Sequence, residues 1–310
     1  MPPATAAPSP SDRPVVNAMS VDVEDYFHVS AFDQIVDRKH WDSFESRVCP
    51  NTERLLALFA ESGVRSTFFV LGWVAARFPA LVRRIAAGGH EIASHGYGHR
   101  LVYEIGPDEF RQDIRRAKAL LEDISGLAVL GYRAPSYSIT ERSLWALDVL
   151  IDEGYKYDTS IFPIHHDRYG IPGAPRHVHL MERAGGALVE APGSTVRWGG
   201  VNLPIGGGGY FRLLPYWWTS RGIARLNRRE RRPAIFYVHP WEIDPDQPRL
   251  DVPRATRVRH YTNIGKTEGR LRRLIKDFAF STVGDVVRHA CPQPDDPALP
   301  SPVRSQMALG

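Results

Sequence analysis

Two histidines four residues apart, His95 and His99, close the stretch His90-Glu91-Ile92-Ala93-Ser94-His95-Gly96-Tyr97-Gly98-His99, just after a short strand-like run. Imidazoles at that spacing can reach one cation, and neutral imidazole nitrogen suits zinc and its transition-metal neighbours. A catalytic zinc takes three protein ligands and keeps one position for water, so a third ligand must come from elsewhere in the chain. A bare H-x-x-x-H also arises by chance among surface or core histidines, and the pair gains meaning only from its surroundings. The metalloprotease helix H-E-x-x-H is absent, because the histidine after His90-Glu91 is His95, roughly 140° around a helix, where the two rings point apart. Gly-Tyr-Gly between His95 and His99 favours a loop or a single turn.

The elements that must position these residues alternate between strand and helix. Val15 to Val23 reads as a first strand, Asn51 to Gly63 as a helix with a closing glycine, and Val64 to Leu71 as a buried strand. Trp73 to Ala87 is helical with a break at Pro79, and the strand Glu91 to Ser94 follows Gly88-Gly89. Pro107 to Ile124 carries a helical stripe of Phe110, Ile114, Ala117 and Leu121, followed by a strand over Val129 to Tyr132. Thr140 caps the next helix, Tyr155 to Tyr157 is a strand, Ala234 to Val238 is an apolar strand, and Lys266 to Ala279 is an amphipathic helix. This order predicts an α/β fold, a parallel sheet wrapped by helices as a closed or partly open barrel. The stretch 192–218 breaks the rhythm with Gly206 to Gly209 and the aromatics Tyr210, Phe211, Tyr216, Trp217 and Trp218, and reads as an insertion near the mouth of the site. Without a following Lys-Ser or Lys-Thr, its glycines do not make a nucleotide-binding loop.

Composition bounds the rest. A chain of 310 residues, 43% hydrophobic, can bury one large core, and one catalytic domain is expected over 15–291, with a C-terminal extension from about 245. No apolar run is long enough to span a membrane, and the Pro, Ala and Ser-rich residues 1–14 do not read as a secretory signal. Both 1–14 and 292–310 are expected to be disordered tails. Cys49 and Cys291 suggest free thiols in a reducing compartment, so a cytoplasmic location is expected, with peripheral attachment to the inner membrane as its variant. The net charge of +4 owes much to the arginines at 221–232 and 270–276, which lack interleaved aromatics and read as solvated helix faces, with no nucleic-acid partner.

Active sites of such barrels lie at the carboxyl ends of the strands. There the sequence places Ser20-Val21-Asp22-Val23-Glu24-Asp25 after the first strand, His95 after the histidine strand, and Arg133-Ala134-Pro135-Ser136 after the next. Asp158 and His239-Pro240-Trp241 end two later ones.

With these residues in place the chain resembles the polysaccharide deacetylases of the NodB-homology type, carbohydrate esterase family 4, over roughly 15–290. The acidic motif at Asp22 to Asp25, the histidine pair, Arg133 with Pro135, Asp158 and His239 occur in the family's order. Val21 to Phe27, Gly207 to Arg212 and Arg259 to Asn263 look more narrowly like the subgroup linked to exosortase/PEP-CTERM exopolysaccharide loci. The resemblance implies a partly irregular (β/α) barrel of the NodB-homology type and hydrolysis of an N-acetyl group from an amino-sugar glycan or its precursor. Most relatives carry two adjacent aspartates, a base and a metal ligand, whereas this chain spreads Asp22, Glu24 and Asp25 over four positions. Asp22 is assigned as the base, and the metal carboxylate stays open between Asp25 and Glu24.

In the chemistry this suggests, a divalent ion, expected to be Zn2+, is bound by His95, His99 and that carboxylate and polarises the acetyl carbonyl and a water. Asp22 takes the proton, and the Ser136 N–H faces the oxyanion. His239 protonates the leaving amine, Asp158 orients His239, and Arg133 pairs with Asp22. His28, His165 and His166 read as surface or mouth residues. Two other readings compete: a glycoside hydrolase, which needs paired carboxylates but no histidine pair, and a catalytically silent carbohydrate-binding protein.

Overall fold

The structure is a computed structural model that describes residues 14–291, so the expected tails, apart from Pro14, lie outside the described residues. The strands are β1 (Asn17–Val23), β2 (Thr67–Val70), β3 (Glu91–Ser94), β4 (Gly131–Tyr132), β5 (Tyr157–Asp158), β6 (His179–Arg183), β7 (Gly186–Glu190), β8 (Thr195–Trp198), β9 (Val201–Pro204), β10 (Ile235–Val238) and β11 (Phe280–Ser281). The helices are α1 (Val48–Ser62), α2 (Gly72–Arg77), α3 (Pro79–Ala87), α4 (Pro107–Ser125), α5 (Trp145–Asp152), α6 (Gly208–Leu213), α7 (Tyr216–Arg225), α8 (Arg254–Tyr261), α9 (Ile264–Asp277) and α10 (Val283–Ala290). None of the described helices is long and apolar enough to cross a membrane.

The main sheet runs β10-β1-β2-β3-β4-β5-β7-β6, with β11 pairing off β1. All of these pairs are parallel except β6 with β7. Every residue of β1 is buried, as expected of a strand covered on both faces. The stripe Phe110, Ile114, Ala117 and Leu121 is the buried face of α4, and the helix stops at Gly126 in the left-handed region, φ 67°. Pro79 opens α3 and so divides the expected 73–87 helix in two. The first helix starts at Val48, earlier than expected, for a reason that lies in the site.

Between β7 and β10 the sheet is closed by irregular backbone. Ile205 N–H donates to the Ser194 carbonyl (3.0 Å), and Tyr237 N–H donates to the Gly206 carbonyl (2.8 Å). The glycines read as part of an insertion are therefore part of the barrel wall. A Cβ on Gly207 would lie 2.0 Å from the Tyr237 carbonyl oxygen, and one on Gly208, at φ +54°, would meet the Tyr237 hydroxyl at 2.3 Å. Only glycine lets this backbone lie so close to β10. The pair β8–β9 forms a separate antiparallel hairpin in the same stretch. Phe211 is buried against the Phe236 ring, and the Trp218 indole donates to the Pro204 carbonyl, so these two aromatics serve packing.

Candidate active site

At the carboxyl ends of the strands a cavity of about 160 Å3 is lined by Asp22, Glu24, His95, His99, Ser136 and His239, with Tyr137, Tyr169, Tyr237 and Trp241 as its aromatic walls. The strand-end residues of β1, β3 and β10 and those following β4 thus converge as the sequence suggests. Asp158 does not join them.

Glu24, His95 and His99 present one ligand atom each within 4.8 Å of one another, all three buried. Glu24 Oε2 lies 2.6 Å from His99 Nε2 and 3.7 Å from His95 Nε2. This buried oxygen has no well-formed hydrogen bond and no neighbour but the two imidazoles, an arrangement that a cation held between the three would relieve. The donor set, two imidazole nitrogens and one carboxylate, fits a divalent transition metal and leaves a position open. His95 Nδ1 donates to the Arg133 carbonyl at 2.8 Å, which fixes the tautomer with Nε2 as the free lone pair.

The turn joining the two histidines is held by a residue the sequence did not single out. The Asp113 carboxylate accepts from the Tyr97 N–H (2.7 Å) and the Gly98 N–H (2.9 Å). Gly96 has φ +71°, and a Cβ there would lie 2.7 Å from Asp113 Oδ2, which explains the glycine after His95.

Asp25, one of the two candidate metal carboxylates, is occupied elsewhere. Its Oδ2 accepts from Ser46 Oγ (2.6 Å), Arg47 N–H (2.9 Å) and Val48 N–H (3.1 Å), and Oδ1 accepts from Tyr26 N–H (3.1 Å). It caps α1 from a distance, which is why that helix starts at Val48. Burial pushes its carboxyl up to about 6 against these donors. His28, read as a surface or mouth residue, is instead fully buried and accepts the Asp25 N–H on Nδ1 at 2.8 Å. His166 is half-buried and stacks on Tyr169 at 3.8 Å, while His165 is exposed.

Arg133 is completely buried. Its Nη1 donates to Asp22 Oδ1 (2.5 Å) and accepts nothing in return, and the same nitrogen reaches Ser20 Oγ (2.9 Å). Its guanidinium lies 4.2 Å from the Phe69 ring centroid. Asp22 Oδ2 remains free of that pair and faces His239 Nε2 at 3.9 Å.

His239 is oriented by Glu242, not Asp158. Glu242 Oε2 accepts from both the Nδ1 (3.0 Å) and the backbone N–H (3.0 Å) of His239. Burial alone would push this imidazole down, but Glu242, Glu24 and Asp22 outweigh it and hold it at about 9. The Asp158 carboxylate accepts from the Ser160 hydroxyl (2.5 Å) and N–H (3.1 Å) and lies beside Glu190, its register partner on β7. Burial, then the charge of Asp158, pushes the Glu190 carboxyl well above the usual range. The signal for Glu242 was present as a carboxylate three residues after His239, a spacing that a strand-end turn folds back on itself.

Residues 37–157 match the family model described as Polysaccharide deacetylase, and residues 159–288 match one described as Domain of unknown function (DUF3473). The Peptidoglycan-N-acetylglucosamine deacetylase of Bacillus cereus is 32% identical over 120 residues, 35% of this chain and 44% of that protein. A Chitooligosaccharide deacetylase of Sinorhizobium fredii is 37% identical over 100 residues, 32% of this chain and 44% of that protein. The chain thus spans less than half the length of these curated relatives. A solved structure of a protein from Mycobacterium smegmatis has the same fold, with a TM-score of 0.61 at 22% identity over 93% of each chain. Residues 37–157 are thus similar in sequence to the polysaccharide deacetylases, and the described residues share the fold of the M. smegmatis structure.

Proposed function

We propose that this protein is a metal-dependent hydrolase that removes N-acetyl groups from an amino-sugar polysaccharide or its precursor, acting in exopolysaccharide biosynthesis. The observation that carries the reading is the cluster Glu24, His95 and His99, three buried ligand atoms within 4.8 Å of one another, set in one cavity beside Asp22 and His239. The B. cereus and S. fredii relatives are named for N-acetylated amino-sugar substrates, which supports that substrate class. The phrases Val21 to Phe27, Gly207 to Arg212 and Arg259 to Asn263 support the exopolysaccharide setting.

Glu24, His95 and His99 would hold the ion, and zinc suits their donor set. When bound, it supplies Lewis acidity toward the acetyl carbonyl and lowers the pKa of water. Asp22, with one oxygen fixed by Arg133 and the other free, takes the proton of the attacking water. Ser136, held at φ 53° on the cavity wall, would offer its backbone N–H to the oxyanion. His239 Nε2 gives its proton to the amine nitrogen as the C–N bond breaks and the electron pair moves to nitrogen. A glycoside hydrolase would need two carboxylates free to flank a glycosidic bond, whereas here Asp22 is tied to Arg133 and Glu24 to the histidines.

The test is acetate release from N-acetylglucosamine oligomers and from an N-acetylated exopolysaccharide, with chelator and with zinc added back. Release that chelator stops and zinc restores is expected. Chelator-insensitive release, or cleavage of glycosidic bonds in its place, overturns the reading.

A further inference from the structure

The phrases Gly207 to Arg212 and Arg259 to Asn263 are far apart in sequence, yet they meet behind the catalytic histidine. Arg212 Nε donates to Glu242 Oε1 at 2.6 Å, and both side chains are almost fully buried, at 3% and 1% exposure. The Nη1 of Arg212 donates to the carbonyls of Arg259 (3.1 Å), His260 (2.6 Å) and Thr262 (3.3 Å). Asn263 Nδ2 donates back to the Arg212 carbonyl at 2.8 Å, and Arg270 Nη1 donates to the same carbonyl at 3.0 Å. The other oxygen of Glu242 holds His239 Nδ1, and Trp241, stacked 5.0 Å from the His239 ring, is stacked at 4.3 Å on His260.

A buried carboxylate with one oxygen on an imidazole has rotational freedom about its last torsion unless the second oxygen is also fixed. Arg212 supplies that second bond, and its own guanidinium is pinned by three carbonyls that leave it one orientation. We propose, on the reading of His239 as the proton donor, that Arg212 is a positioning residue: it locks Glu242 so that His239 keeps Nδ1 on the carboxylate and aims Nε2 into the cavity. Glu242 is the intermediary, and Arg212 is not among the residues that line the cavity. A lysine in its place keeps a charge beside Glu242 but lacks the planar fork that reaches the carbonyls at the same time.

The experiment compares wild type, Arg212→Lys, Arg212→Met and Glu242→Gln on an N-acetylglucosamine oligomer and on an aryl acetate, whose leaving group needs little protonation. Arg212→Lys is expected to lose about 10-fold or more in kcat on the amide and less than 3-fold on the ester, with KM little changed. In the Glu242→Gln background the same substitution is expected to cost almost nothing, because its route to His239 is already broken. Equal losses on amide and ester, or an undiminished loss in the Glu242→Gln background, overturn the proposal. Because Arg212→Met leaves Glu242 buried without its partner and can fail to fold, the lysine variant carries the decision. Nitrogen-detected NMR of the histidine rings, with His239 assigned by its Gln variant, gives a readout independent of turnover. A Nδ1 proton at His239 that is perturbed in Arg212→Lys is expected. Were wild type to release no acetate while this coupling persisted, the proposed activity would fail and the positioning would stand; an unperturbed ring in Arg212→Lys sinks the positioning itself.

Discussion

The two sides of the cavity are built on opposite electrostatic plans. On the side of β1 and β3, Glu24 Oε2 faces two imidazole nitrogens and has no well-formed hydrogen bond. On the side of β10, donors and acceptors alternate without a gap, from Arg212 to Glu242 to His239. A site that must receive a cation has to keep lone pairs unmatched, and the protein tolerates that cost only where the ligand repays it. A site that must hold and deliver a proton needs every other lone pair matched, so that only one atom, on the proposed mechanism His239 Nε2, stays available. The family matches follow this division in part, since His95 and His99 fall within 37–157 and Arg212, His239 and Glu242 within 159–288, while Asp22 and Glu24 precede both.

The sharpest way to break this comparison is to empty the unmatched side. Replacing His95 and His99 together by alanine should abolish both turnover and bound divalent ion, measured as acetate release and as metal per chain by elemental analysis. Single replacements then divide the carboxylates. Asp22→Asn should reduce kcat by about 10³-fold or more with metal retained, because it removes the base and leaves the ligand atoms in place. Glu24→Gln should lose metal and turnover together. Asp25→Asn should keep metal but lower stability by about 1–3 kcal/mol in denaturant titration, because its oxygens hold the start of α1. Metal loss in Asp25→Asn with retention in Glu24→Gln would reverse the assignment.

The unmatched side was also the legible one. His95 and His99 lie on one turn, and Asp22 and Glu24 share a strand face, so short spacings and strand ends sufficed to collect them. The choice of Glu24 over Asp25 was not legible, because it depends on Ser46, Arg47 and Val48 approaching Asp25 from the next element. The strands β6 to β9 and the closure through Ser194 and Gly206 were missed, since short edge strands and irregular backbone carry no period to read. Glu242 was overlooked because Asp158 also ends a strand, and sequence order cannot say which of two carboxylates turns toward a ring.

The matched side predicts effects that depend on the leaving group. His239→Ala should slow N-acetyl substrates by about 10²–10⁴-fold and largely spare an aryl acetate. As the proposed proton donor it must act as the imidazolium, and since Glu242, Glu24 and Asp22 overcome burial to hold it at about 9, activity should persist above pH 7 and fall as pH rises through that value. Glu242→Gln removes the largest of the upward contributions, so the alkaline limb of kcat should move down. A return to the ordinary imidazole value near 6.5 would lower the protonated fraction at pH 8 by about 30-fold. An alkaline limb that stays in place in Glu242→Gln would show that the chain from Arg212 does not end at His239.

The smallest effect on catalysis is expected at Asp158, and it tests whether the two plans are separate from the carboxyl pair beneath them. Asp158→Asn should leave the alkaline limb where it is, because its carboxylate is bonded to Ser160 and not to His239. Its effect should appear in the pH dependence of stability. Burial and the charge of Asp158 raise the Glu190 carboxyl well above its usual value, so the folded protein holds a proton that the unfolded chain releases above about pH 4.3. That contribution to stability is complete below the unfolded value and is lost as pH rises toward the raised folded one. Asparagine removes the neighbouring charge and also removes the Asp158 carboxyl itself, which burial raises as well, so the decline in stability as pH rises above the ordinary carboxylate range should become shallower in the variant than in wild type. Urea unfolding across that range, run beside the kcat profile, separates the two readouts. A shifted alkaline limb with an unchanged stability slope would return Asp158 to the role the strand ends suggested, as the residue that holds His239.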